Sequence, residues 1–142
     1  MNLVIDASVA VKWLLSESET DKAEAVLTAC QQRGIIPLAP EILTAEVSSA
    51  LWKRVMRGFL DADRALSLFS HFERIRPTLA PIGNLAGLAL RLALRHRQSI
   101  YDCLYIALAL ETPCDLVTAD ETFHRAFTPI YPQIRLLRDW PT

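Results

Sequence analysis

Short unbroken apolar runs alternate along this chain with longer stretches in which apolar residues recur every third or fourth position. Residues 2–6 read Asn-Leu-Val-Ile-Asp, too short for a helix and closed by an acid, the pattern of a strand buried on both faces. Residues 7–15 follow a helical rhythm through Val9, Trp13 and Leu14, and 18–33 form a more polar helix with Ala23, Val26, Leu27 and Cys30 along one side. Gly34 stops that helix, and 35–39 is a candidate strand closed by Pro40. A third helix is expected over 41–57, stopped by Gly58, and a fourth over 61–74, opened by acids that suit the positive end of a helix dipole. The remaining pattern predicts a short strand at 79–82, helices at 85–96 and 101–111, a strand at 115–119 after Pro113, a helical turn at 123–127 and an edge strand at 134–137. Strands alternating with helices imply the α/β class, with a parallel sheet covered on its faces.

Length and charge narrow this picture. A chain of 142 residues is read as one domain, 1–142, which buries roughly 68% of its unfolded surface. Apolar residues at 51%, charged residues at 22% and only four glycines exclude a disordered or fibrous protein. A formal net charge of −1 excludes one that coats nucleic acid by bulk electrostatics. Cys30, Cys103 and Cys114 form no C-x-x-C pair and are expected to be reduced. The first six residues lack a basic segment and contain an acid, so no signal peptide is expected, and no apolar stretch reaches membrane-spanning length. A cytoplasmic location follows as the expectation.

Of the sixteen Asp and Glu residues, most lie on polar helix faces or at helix starts. Four do not. Asp6 ends an apolar strand, Glu46 sits among Leu43, Ala45, Val47 and Ala50, Asp102 lies within Ile-Tyr-Asp-Cys-Leu-Tyr-Ile-Ala, and Asp120 follows Leu-Val-Thr-Ala. Acids are rarely buried unless paired or bound to metal. Each also has a plainer reading. Asp6 can N-cap the next helix, Ser99-Ile-Tyr-Asp102 and Thr118-Ala-Asp-Glu121 both read as capping boxes, the second with Asp120 as a bystander, and Glu46 can sit at the rim of its helix's apolar face.

Taken together, the four point elsewhere. Ligands of a parallel α/β sheet bind outside the carboxyl ends of its strands, where Asp6 and Asp120 both stand. Carboxylates converging there repel by roughly 4 kcal/mol per pair at about 4 Å with an effective dielectric of about 20. Such a cluster calls for a cation, and oxygen-only ligation selects a hard one, Mg²⁺ or Mn²⁺.

These segments resemble the PIN-domain family, and within it the VapC ribonuclease toxins of bacterial toxin–antitoxin pairs. The resemblance runs from Val-Ile-Asp6-Ala-Ser8 to Leu-Val-Thr118-Ala-Asp120, through Glu46 in Leu-Thr-Ala-Glu-Val and Tyr101-Asp102-Cys-Leu-Tyr105-Ile-Ala-Leu-Ala. Cys103 stands where a small residue such as Ala is usual. The resemblance implies a three-layer α/β/α fold with a central, mainly parallel sheet, a Mg²⁺ or Mn²⁺ site and endoribonuclease activity. It implies Asp6 and Asp102 as direct metal ligands, Glu46 and Asp120 completing the shell or holding bound waters, and the Ser8 and Thr118 hydroxyls orienting them. By analogy with related metal nucleases, in-line attack leaves a 5′-phosphate and a 3′-hydroxyl. An RNA substrate, a VapB-like antitoxin able to block the acidic pocket with an arginine, and a homodimer complete the implied partners.

Other residues carry less. Lys53, Arg54 and Arg57 cluster at one helix end and Arg91, Arg95, His96 and Arg97 at another, where the dipole favours cations whatever the function; Lys12 stands nearer the acids and is the better phosphate candidate. His71, His96 and His124 lack zinc spacing. Trp13, Trp52 and Trp140 fit core or interface positions. Val26, Leu27, Ala50, Leu51, Leu66 and Phe69 exceed what a lone core needs, which by the same resemblance implies a dimer face and an antitoxin groove. The competing reading is a catalytically silent binding module of this fold, its acids serving as caps. A receiver domain fails because Ala7 follows Asp6 and the last lysine is Lys53, and a haloacid-dehalogenase-type phosphatase because Ser8 stands where an Asp is needed.

Overall fold

The computed structural model describes residues 1–141. Five strands, β1 (Asn2–Ile5), β2 (Ile36–Pro40), β3 (Thr78–Ala80), β4 (Asp115–Thr118) and β5 (Ile134–Leu136), form one parallel sheet in the order β3-β2-β1-β4-β5. The chain builds outward from β1 in one direction, then returns to add β4 and β5 on the other side. That reversal puts a topological switch point between β1 and β4, where the loops leaving the two strands part and a crevice opens at their carboxyl ends.

The helices are α1 (Ala7–Ala10), α2 (Thr20–Gln32), α3 (Ile42–Met56), α4 (Ala62–Ile75), α5 (Ala86–His96), α6 (Ile100–Glu111) and α7 (Glu121–Phe127). Together with the sheet they make a three-layer α/β fold. α6 packs on β1, β2 and β4 and is covered in turn by α5. This sandwiching explains its composition, since residues 103–109 are all buried and a helix enclosed on several sides must be apolar nearly all round. β1 is equally enclosed, with Leu3, Val4 and Ile5 no more than 3% exposed.

The expected elements are all present, with shifted ends. The first helix is shorter than 7–15: it gives way to a tight 3₁₀ turn at Val11–Trp13, where the amides of Leu14 and Leu15 both return to the Val11 carbonyl. β2 extends one residue further than expected: Pro40 lies in register with Ala80, and the ladder bond beside it comes from the Glu41 amide to the Ala80 carbonyl at 2.9 Å, so the pairing needs no N–H from Pro40. The third strand lies at Thr78–Ala80 rather than 79–82, since Pro81 ends the ladder and Ile82–Asn84 turns. α7 starts two residues earlier than expected, at Glu121. Gly34 and Gly58 end α2 and α3 with φ of 68° and 79°, the left-handed geometry that a side chain resists.

Candidate active site

The site begins where β1 stops. The Asp6 amide donates to the Val117 carbonyl at 3.0 Å, extending the β1–β4 pairing by one residue and fixing Asp6 at the edge of the sheet. Asp6 occupies the N-cap position of α1, yet its carboxylate makes no capping bond. Its Oδ2 instead accepts the Ser8 hydroxyl at 2.6 Å and the Thr118 hydroxyl at 2.8 Å. Each hydroxyl is itself aimed by a backbone donor: the Ala119 amide donates to Ser8 Oγ at 2.9 Å and the Asp120 amide to Thr118 Oγ1 at 3.0 Å. Thr118 is fully buried and Asp6 only 7% exposed. Burial raises the Asp6 carboxyl above its ordinary value; the two hydroxyls oppose this, and the charge of Asp120 adds to it.

Three further acids lie near this end of the sheet. Glu46, in the second turn of α3, is half-buried and accepts the Tyr105 hydroxyl on Oε1 at 2.7 Å. Desolvation pushes it up to about 7, against the Tyr105 bond and with help from the charges of Asp6 and Asp102. Asp102, in the first turn of α6, rises to about 6 from desolvation and the fields of Asp6 and Asp120. Asp120 caps α7, with Oδ1 accepting the amides of Thr122 and Phe123 at 2.9 and 3.1 Å. Asp6 and Asp102 therefore lie within electrostatic reach of Asp120, and Glu46 within reach of Asp6 and Asp102, brought there by β1, α3, α6 and the loop after β4.

The plainer readings divide. Ser99 does cap α6, through the Tyr101 amide at 3.0 Å, but the Asp102 carboxylate returns no bond to Ser99 among the described residues, so the box is not closed. The Thr118 capping box is also not formed. Asp120 is the cap rather than a bystander, because the Thr118 hydroxyl is spent on Asp6. Capping uses only one oxygen of Asp120, and Tyr105 only one of Glu46; the second oxygen of each, and both of Asp102, accept no protein hydrogen bond among the described residues.

A model of the PIN domain matches residues 3–127. The chain belongs to the PIN-domain family. Ribonuclease VapC3 of Pyrobaculum aerophilum is 30% identical over 129 residues, 89% of this chain and 95% of that one. Ribonuclease VapC9 of Mycobacterium tuberculosis is 30% identical over 119 residues, 83% of this chain and 85% of its own length. The crystal structure of PAE2754 from Pyrobaculum aerophilum has the same fold, with a TM-score of 0.68 at 19% identity over 97% of this chain and 93% of that one.

Within this PIN domain the chemistry of the donor set fits a hard divalent cation: carboxylate oxygens alone, on groups whose charges burial and mutual repulsion disfavour. Among the described residues no three acid, histidine or cysteine side chains stand in a group that could hold a metal ion as placed. Tyr105 is the site residue that sequence reasoning missed as a participant. Its ring is 1% exposed and its hydroxyl, raised above its ordinary value chiefly by burial, meets Glu46. The available signal was its position three residues after Asp102, one helical turn along the same face. Cys103, beside Asp102, is buried with a thiol pushed up to about 11, so it packs as a small apolar side chain.

The basic candidates are placed less favourably than expected. The Lys12 ammonium is buried and held by the Ser18 carbonyl at 2.8 Å and by Glu17 at 3.5 Å. Glu17 in turn pairs with Arg54 at 2.9 Å. His96 turns inward, edge-on to Phe127 and Tyr131. Among the described residues no helix is long and apolar enough to cross a membrane.

Proposed function

We propose that this chain is a VapC-type toxin, a divalent-metal-dependent endoribonuclease in which Asp6, Glu46, Asp102 and Asp120 hold Mg²⁺ or Mn²⁺ and residues 1–142 form one nuclease domain. The observation that carries the reading is the meeting of four carboxylates, from four separate segments, at the switch point of a PIN fold whose curated relatives are ribonucleases. A cation bound there supplies Lewis acidity to the scissile phosphate and to the attacking water.

The protein's own part is positioning and field. Asp6 is the most rigidly held acid, its Oδ2 fixed by two hydroxyls that are themselves fixed by amides. Tyr105 does the same for Glu46 from the opposite wall. These partners hold one oxygen of each carboxylate and leave the other without a side-chain partner among the described residues, as suits carboxylates that ligate a metal. Without a cation the pocket repels a phosphodiester, so substrate affinity and metal affinity rise together.

The partners follow from a second surface. Between α3 and α4 runs an apolar groove of about 430 Å³ lined by Leu51, Trp52, Met56, Leu66 and Phe69. It is the seat we assign to the apolar segment of a VapB-like antitoxin, and with the neighbouring exposed apolar residues it supports association as a homodimer. An RNA substrate is in keeping with a cytoplasmic location.

Cleavage of a panel of structured RNAs, with Mg²⁺, Mn²⁺ or EDTA, tests the reading. Metal-dependent cutting by the wild type, lost in both Asp6→Asn and Asp102→Asn, supports it. Equal behaviour of wild type and variants returns the chain to a silent binding module.

A further inference from the structure

One face of α7, carrying Glu121, His124, Arg125 and Thr128, borders a hollow of about 440 Å³ whose other wall is Leu136 and Arg138. Two features tie it to the acidic crevice. Asp120 is the cap of α7, so the hollow starts at the next residue and runs along a helix of seven residues, roughly 10 Å. Leu136 pairs with Thr118 across the sheet, so the far wall rises from the same carboxyl edge that carries Thr118 and Asp6.

The charge changes sign between the two. The crevice holds four carboxylates, whereas the hollow holds two arginines, a histidine and one glutamate. Glu121 pairs with Arg138 at 2.8 Å, and Arg125 joins no ion pair among the described residues. Four cations on the neighbouring segments are less free to serve the strand near the acids. Lys12 and Arg54 are tied to Glu17, and Lys53 and Arg57 lie roughly 10 to 16 Å beyond Glu46 along α3. A polyanion crossing an acidic site has neighbouring phosphates that also need fixed cations, because backbone contacts set a strand's register.

We infer that the α7 hollow, through Arg125 and Arg138, binds a backbone phosphate of the RNA strand beside the one being cut. This rests on the ribonuclease reading above. Arg138 offers a planar fork suited to phosphate oxygens, and Glu121, which accepts one of its N–H groups, competes with the phosphate for it. Glu121 thereby sets how tightly the hollow grips.

The test pairs steady-state cleavage with anisotropy binding of a short fluorescein-labelled single-stranded RNA to the Asp102→Asn form. Arg125→Ala and Arg138→Ala each raise KM and Kd about tenfold with kcat unchanged. Each also lowers the dependence of log Kd on log salt by about one. Glu121→Gln moves KM and Kd the opposite way. Because all three side chains are exposed, melting temperatures stay level and a folding defect is separable. If the wild type cuts, Asp102→Asn does not, and the arginine variants keep their KM, Kd and salt slope, the hollow is no phosphate site while the ribonuclease reading stands. A wild type that neither cuts nor binds RNA overturns both.

Discussion

The Tyr105 hydroxyl donates to Glu46 Oε1 at 2.7 Å, joining α6 to α3 across the mouth of the acidic crevice. The ring is enclosed in the core and only the oxygen reaches the site, so Tyr105→Phe removes the bond while keeping the packing. Glu46 then loses the donor that holds one oxygen, and activity falls roughly ten- to a hundredfold, the usual consequence of losing the partner of a metal-ligating group. Folding stability changes by only about 1 kcal/mol. Mn²⁺ affinity measured by calorimetry should weaken in step. Unchanged affinity and activity in a well-folded Tyr105→Phe protein would remove Tyr105 from the site.

Stability of the metal-free protein should fall as pH rises. Glu46 goes from 4.5 to about 7 and Asp102 from 3.8 to about 6, both because folding buries them. The native state therefore binds more protons than the unfolded chain between about pH 4 and 7, and unfolding free energy declines across that window. Below it the penalty vanishes, since both states are protonated. Thermal melts in EDTA should show this slope, Glu46→Gln and Asp102→Asn should flatten it, and added Mn²⁺ should raise the melting temperature at pH 8 by binding the native state alone. A melting temperature that climbs steadily from pH 4 to 8 in EDTA is incompatible with the arrangement.

Much of this candidate site was legible in the sequence because its acids break a local rule. Asp6 and Asp120 stand directly after apolar runs that can only be enclosed strands, and Asp102 interrupts a helix that is apolar nearly all round. Such carboxylates demand an explanation that surface acids do not. The parallel α/β class was legible for the same reason, since enclosed strands and helices leave distinct periods. Strand ends and the extent of α1 were less so, because Pro40, Pro81 and the turn after Ala10 are resolved by pairing and tertiary hydrogen bonds. Tyr105 was hidden by its own chemistry, as a buried Tyr in an apolar helix reads as core until its hydroxyl's partner, 59 residues away in sequence, is known. The surroundings of the basic residues were not legible either, since the fold ties Lys12 and Arg54 to Glu17 and sets the His96 ring edge-on to Phe127 and Tyr131.

The hydroxyl relay under Asp6 makes a sharper prediction than the acid itself. Thr118 is fully buried, donates to Asp6 and accepts from the Asp120 amide. Thr118→Val keeps the shape but strands that amide and removes a donor from a buried carboxylate. We expect a loss of about 1 to 3 kcal/mol in urea denaturation and a ten- to a hundredfold drop in cleavage. Ser8→Ala should act in the same direction, since it strands the Ala119 amide. Combined, the two should cost less activity than the sum of their separate effects, because both act through one oxygen of Asp6. Strict additivity would mean the hydroxyls serve separate ends.

If the groove between α3 and α4 seats the antitoxin as proposed, neutralisation is separable from catalysis. Leu66 is 69% exposed and Trp52 60% exposed, yet both lie on the same apolar surface with Leu51 and Phe69. Exposed apolar side chains grouped this way gain from being covered, and a charge among them resists covering because it must then be desolvated. Leu66→Glu should therefore fold with nearly unchanged stability, since a surface substitution usually shifts it by only about 0.5 kcal/mol. Its ribonuclease activity should match the wild type, because Leu66 stands on α4, which carries none of the four carboxylates. Neutralisation by the cognate antitoxin should weaken about tenfold or more, so that co-expression no longer rescues growth. Full rescue of the Leu66→Glu protein would place the antitoxin on another surface and leave the groove to contacts between copies of this chain, which sedimentation of the variant would then reveal as a loss of dimer.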